Sequence, residues 1–198
     1  EGFLIPDLPD EERIVDLSGV DWDALQEATT RRYTAAERIK QLLAERTSRI
    51  AQTNPTYEEL AEKFENLVEA YNNGSVNIDE LIHRLRALVG ELDEYEQRLV
   101  TEDLTEEQLA VFDLLTKPEP ELTDEQQAQV KGLARELFAH IEEALVLDWR
   151  KNQEGRGRVK VALETHLDQL PDVYEPDLYN TKCGLVYEYI FSRGELVR

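Results

Sequence analysis

Asn77-Ile78-Asp79-Glu80-Leu81-Ile82-His83-Arg84-Leu85-Arg86-Ala87-Leu88-Val89-Gly90-Glu91-Leu92 is the stretch whose reading decides the fold class. Ile78, Leu81, Ile82, Leu85, Leu88, Val89 and Leu92, continued by Tyr95 and Leu99, lie on one stripe of a 3.6-residue helix. Asn77 stands in front of the stripe as a start signal, because its side chain can accept a first-turn N–H. The same period recurs on both sides. Upstream, Leu60, Phe64, Leu67, Val68 and Tyr71 form a shorter stripe, with Gly74 as its stop. Downstream, Leu109, Phe112 and Leu115 mark a short helix that ends before Pro118 and Pro120. Val130, Leu133, Ala134, Leu137, Phe138, Ile141 and Leu145 mark a long one. Val159, Leu163, His166, Leu167 and Leu170 read as a helix halted by Pro171, and Leu178, Leu185, Val186, Tyr189 and Ile190 as a last one after Pro176.

Four pairs have the capping-box spacing, a Thr followed three residues on by Glu or Gln: Thr34/Glu37, Thr56/Glu59, Thr105/Gln108 and Thr123/Gln126. No segment alternates strictly between turn signals as a strand does. No repeat of solenoid length is present. The expectation is an all-α protein, an irregular bundle of about seven helices over residues 21–198. Residues 1–20, with Pro6, Pro9 and the acidic run Asp10, Glu11, Glu12, read as an extended lead-in or linker.

Composition narrows the class further. Leu, Val, Ile and Phe make up about 28% of the 198 residues, above the ~20% below which a highly charged chain tends to stay unfolded. No apolar run exceeds four residues, as over 144–147, so no segment reads as a membrane span, which needs about 20. Nothing reads as a secretion signal. The lone Cys183 cannot form an internal disulfide, which fits a reducing, cytoplasmic setting. The chain opens at Glu1 without Met, as expected of a processed protein or of a piece of a longer one.

The net charge is −21, and it is unevenly spread. Residues 1–30 carry −8 and residues 55–147 carry −16, whereas residues 31–54 carry +4 and residues 148–160 carry +3. Such acidity argues against broad nucleic-acid binding, which needs cations to replace counterions. The two basic islands are Arg31, Arg32, Arg38, Lys40, Arg46 and Arg49, and Arg150, Lys151, Arg156, Arg158 and Lys160. Each reads either as solvated helix surface or as a contact with a polyanion or an acidic partner.

Active-site signatures are missing. None of the seven lysines follows a glycine, so no phosphate loop is present, and no Gly-x-Ser-x-Gly elbow occurs. None of the lysines has Asp or Glu two places before it, the pairing by which many nucleases position metal and water. Glu80 and His83 have the spacing of a di-iron pair, but the second pair that such a bundle needs is missing, so no metal site is expected. Cys183 reads as a packed residue. No catalytic residue is assigned. The remaining feature is Leu147-Asp148-Trp149-Arg150-Lys151. It reads as a helix junction fixed by a buried Trp149 with Asp148 capping the next helix, or as an exposed Trp/Arg anchor at an interface.

Several runs together resemble the restriction (motor) subunit of type I restriction-modification enzymes. They are Tyr71-Asn72-Asn73-Gly74-Ser75, the run 104–115, Val130-Lys131 with Ala134-Arg135-Glu136-Leu137, and Leu147-Asp148-Trp149-Arg150. Leu167-Asp168-Gln169-Leu170-Pro171 and Tyr179 with Lys182 and Val186-Tyr187 complete the series. The likeness covers about residues 55–192 and is looser over 15–54, where Val15-Asp16-Leu17-Ser18 still fits. It implies the C-terminal helical domain of that subunit, entered through a linker over 1–20 from a preceding motor domain. It further implies docking onto the methyltransferase and specificity subunits and bracing of the motor domains. Nuclease and ATP-driven translocase chemistry, with its ATP and Mg²⁺, would then lie in other parts of the parent chain, with no cofactor in this one. On this reading the contact candidates are Trp149, Arg150, Lys151, Arg156, Arg158, Lys160, Arg31 and Arg32. Two alternatives remain: a weak, direct DNA-contacting module using the basic islands, with Gly155 and Gly157 either approaching phosphates or serving as loop residues, and an acidic DNA mimic motivated by the charge.

Overall fold

The computed structural model describes residues 20–27, 31–146 and 148–193. The lead-in expected over 1–20 lies outside the described residues except for Val20. Eight α-helices and three 3₁₀ turns follow one another, with no strand among the described residues. The all-α expectation holds. The described residues form two compact units, one within 20–52 and 57–103, the other within 53–56 and 104–193.

The first unit holds α1 (Trp22–Glu27), α2 (Arg31–Thr53), α3 (Glu58–Asn72) and α4 (Ile78–Glu102). Helix α4 is the quoted stretch. Asn77 caps it by accepting the Glu80 N–H at 2.9 Å, and Asp79 and Glu80 in its first turn suit the positive end of the helix dipole. Its buried residues are Ile78, Leu81, Ile82, Leu85, Leu88, Val89, Leu92 and Tyr95, the stripe read from the sequence up to its last member. Helix α3 packs Leu60, Phe64 and Leu67 inward and turns out of its path at Gly74, whose φ of 80° any L side chain would resist. The Tyr57 ring stands edge-on to Tyr95 at 4.7 Å, and Arg98 donates to the Tyr57 hydroxyl at 3.1 Å. Long-range ion pairs run over the surface: Arg32–Asp79 at 2.8 Å, Arg86–Asp23 at 3.2 Å and Lys63–Glu91 at 3.4 Å.

The second unit holds α5 (Glu106–Thr116), α6 (Asp124–Ile141), α7 (Gln153–Leu167) and α8 (Pro176–Ser192). Capping boxes form at Thr105/Gln108 and Thr123/Gln126, with both reciprocal bonds present in each. Helix α5 is buried continuously from Leu109 to Leu115, so it is covered on every face and forms the axis around which the unit packs.

Two of the four capping pairs do other things. Thr34 lies inside α2, which is already helical from Arg31. Thr56 sits in a 3₁₀ turn, and its hydroxyl bonds to Asn54 Oδ1 at 2.8 Å instead of capping α3. A Thr-x-x-Glu pattern caps a helix only where the Thr stands at its start, and neither Thr34 nor Thr56 does.

Candidate functional site

Beyond α6 the chain passes a 3₁₀ turn at Glu142–Ala144 and reaches Asp148, whose backbone is left-handed at φ 60°. That reversal sets up the 3₁₀ turn Trp149–Lys151. Asp148 makes no capping bond to that turn. The start of α7 is capped by Asn152, which accepts the Gly155 N–H at 2.6 Å. Capping by Asp148 is thereby corrected: the 3₁₀ turn moves the start of α7 four residues further along the chain.

Trp149 is only 4% exposed. The reading of it as an exposed anchor is corrected, because its indole is the buried wedge of this junction. Phe191 meets it edge-on at 5.7 Å and Tyr187 at 6.4 Å, and those two rings stack on each other at 6.1 Å. Gly155 is required here: a Cβ at that position would stand 2.7 Å from the Trp149 carbonyl oxygen and 2.8 Å from its Cα. Gly155 and Gly157 are both helical, in α7, so neither is a loop residue.

Two cations of the second island join this cluster. Arg150 donates to the Phe191 carbonyl at 3.3 Å, and Arg156 donates to the Arg150 carbonyl at 2.9 Å. Arg150, Tyr187 and Phe191 are half-buried and Arg156 is exposed, so together they form a platform whose foundation is Trp149. Burial pushes the Tyr187 phenol above its ordinary pKa, and the Arg156 charge opposes that shift. Sequence reading missed Tyr187 and Phe191 as site residues. Their spacing of four on α8, away from the buried Val186 and Ile190, was the available signal.

The other candidates do not join the platform's bonds. Lys151 pairs with Asp148 at 2.7 Å, Arg158 with Glu154 at 2.8 Å and Lys160 with Glu164 at 3.7 Å. Arg32 belongs to the first unit, where Asp79 holds it and its guanidinium lies 5.5 Å from the Tyr33 ring. The side chain of Arg31 lies outside the described residues.

A second polar constellation surrounds the end of α5. Asp113 is fully buried and accepts from Asn54 Nδ2 at 3.0 Å, with Lys117 Nζ at 3.2 Å. Lys182, 2% exposed, donates to the carbonyls of Leu114 at 3.0 Å and Lys117 at 2.6 Å, which the end of the helix leaves open. Burial holds its ammonium below the ordinary lysine range. Tyr174 donates to the Leu115 carbonyl at 3.1 Å. These groups satisfy one another and fasten the helix terminus. Glu80 pairs with Arg84 at 2.7 Å and His83 is exposed, and no cluster able to hold a metal ion occurs among the described residues.

Architecture and site together define an all-α module that presents an aromatic–arginine surface. The chain matches, over residues 10–192, the family described as type I restriction enzyme HindI endonuclease subunit-like, C-terminal, and it belongs to that family. Neither the curated proteins nor the solved structures contain a match to it. No helix among the described residues is long and apolar enough to cross a membrane.

Proposed function

We propose that this chain is the assembly domain of a type I restriction endonuclease subunit, docking the motor and nuclease parts onto the methyltransferase–specificity core without catalysis of its own. The observation that carries the reading is the family match over residues 10–192. The parent chain supplies DNA cleavage and ATP hydrolysis, with ATP and Mg²⁺, from its other domains in the cytoplasm. The platform of Arg150, Arg156, Tyr187 and Phe191 is the contact surface on the second unit, because half-buried aromatic and arginine side chains carry most of the energy at protein interfaces. Lys151, Arg158 and Lys160 are further candidates on the same unit, and Arg31 and Arg32 are candidates on the first unit.

The test is a titration of the folded chain against a methyltransferase–specificity complex. Saturable binding is expected, weakened about tenfold by Arg156→Ala together with Tyr187→Ala, or about 1.4 kcal/mol. Absence of binding by the folded chain overturns the reading. Direct DNA contact is the weaker alternative, since Lys151, Arg158 and Lys160 each lie against a carboxylate that competes with phosphate. A DNA mimic is weaker still, since long-range ion pairs occupy part of the acidic surface.

A further inference from the structure

The first unit carries an open trough that its own packing leaves uncovered among the described residues. It runs between the second half of α2 and the outer side of α3. Its floor is Ala44, Thr47, Ala51, Ala61 and Phe64, continued by Val68. Thr47 turns its hydroxyl back to the Leu43 carbonyl at 2.7 Å, so it adds no open polar group to that floor. Two hollows of about 400 Å³ and about 460 Å³ have Phe64 and Glu65 in common, so they adjoin along α3 and together form the trough.

One wall of the trough is anionic. Glu58, Glu65 and Glu69 line it, Glu62 stands between them on the same stripe of α3 at steps of four, three and four, and all four are exposed. Like charges at this spacing repel and cost the helix stability. No ion pair to any of the four occurs among the described residues, and Lys63 is directed to Glu59 and Glu91 instead. Opposite this wall, α2 presents small residues, Ala44, Ser48 and Ala51, over which another backbone can come close. Helix α3 has 15 residues, about 22 Å of length, which suits about four turns of a partner helix.

We propose that this trough docks a basic amphipathic helix of a protein partner. The apolar stripe of that helix lies on Phe64, Val68 and Ala61, and its Lys and Arg residues neutralise the glutamate wall. The occupant is selected by charge: the same trough rejects an acidic helix of equal hydrophobicity. The proposal does not rest on the platform of the second unit. A failed titration with the methyltransferase–specificity complex therefore leaves it standing, and failure here leaves the docking reading standing.

The experiment uses the whole chain and two labelled helical peptides of about 15 residues, matched to the length of the trough. Both carry leucines at helical spacing, one flanked by Lys and Arg, the other by Glu, and fluorescence anisotropy reads their binding. The basic peptide is expected to bind at least tenfold more tightly than the acidic one, and more weakly as salt rises. Glu65→Lys combined with Glu69→Lys is expected to lose at least tenfold, as is Ala61→Arg, which fills the trough. Circular dichroism confirms that each variant stays folded, and the charge reversal stands as the surface-only variant should Ala61→Arg disturb packing. Equal binding of the two peptides, unchanged binding to the charge-reversed chain, or no binding at millimolar peptide overturns the proposal. So does a dimer of the chain that the charge reversal dissolves, because the occupant is then a second copy.

Discussion

The two units solve the same problem in different ways. In the first, amphipathic helices put apolar stripes inward and fasten their outer sides with ion pairs such as Arg32–Asp79 and Arg86–Asp23. In the second, α5 is buried on all sides, and its polar atoms must find partners inside the protein. Among the described residues the buried polar side chain of the first unit is Thr47. Those of the second are Thr53, Asn54, Asp113, His166 and Lys182. A helix used as an axis has no wet side on which to leave its open carbonyls, so Lys182 and Tyr174 are drawn in to meet them. The second unit is therefore expected to be the more sensitive to single substitutions.

The largest effect is expected from Trp149→Ala, which empties the junction beneath the platform and costs about 4 kcal/mol. Hydrogen exchange should rise throughout α7 and α8 while the amides of α4 keep their protection. Equal loss in both units would break the comparison. Next comes Asp113→Ala, at about 3 kcal/mol, because it strands the buried Asn54 amide and removes the counter-charge of Lys117. Arg86→Ala, which breaks an exposed pair in the first unit, costs less than about 1 kcal/mol in the same urea titration.

Alkaline pH separates the units in a third way. Burial pushes Tyr174 and Tyr189, both in α5's unit, up to about 12 from 10.0. Above pH 10 the unfolded chain gives up these protons while the folded chain keeps them, so stability is full below pH 10 and falls as pH rises toward 12. The loss is expected to be on the order of 2 kcal/mol per tyrosine, and Tyr174→Phe should flatten the fall. Each unit holds one of the two tryptophans, Trp22 and Trp149. Trp22→Phe therefore leaves a fluorescence reporter of the second unit. The smallest effect sharpens the helix caps: Thr123→Ala should cost about 1 kcal/mol, whereas Thr34→Ala, with no capping role, should cost close to none.

Much of the fold is legible in the residues. Asn77 and the stripe from Ile78 to Tyr95 predict α4, and Thr105 and Thr123 predict the starts of α5 and α6, because caps and periodicity act within one element. Leu145 falls outside α6, whose regular helix stops at Ile141 and passes into a 3₁₀ turn. The site is less legible. Arg150 and Arg156 stand out as cations in an acidic chain, but the Arg150 bond to the Phe191 carbonyl depends on α8 lying against the turn at Trp149, and the Arg156 bond to the Arg150 carbonyl on how that turn leads into α7. Asp113 and Lys182 look like surface charges on any local reading. Their burial follows from α5 being enclosed, and Lys182 lies 65 to 68 residues away in sequence from its carbonyl partners at the end of that helix.

The sequence by itself determined that the chain is helical, where most helices begin, and that its acidity is broken by two basic islands, since these depend on spacing along one chain. Tertiary structure decided which side of each signal counts. It buried Trp149, set Tyr187 and Phe191 beside two arginines, and closed the end of α5 with a lysine. Such choices depend on which helices meet, and no residue carries that information within its own turn of chain.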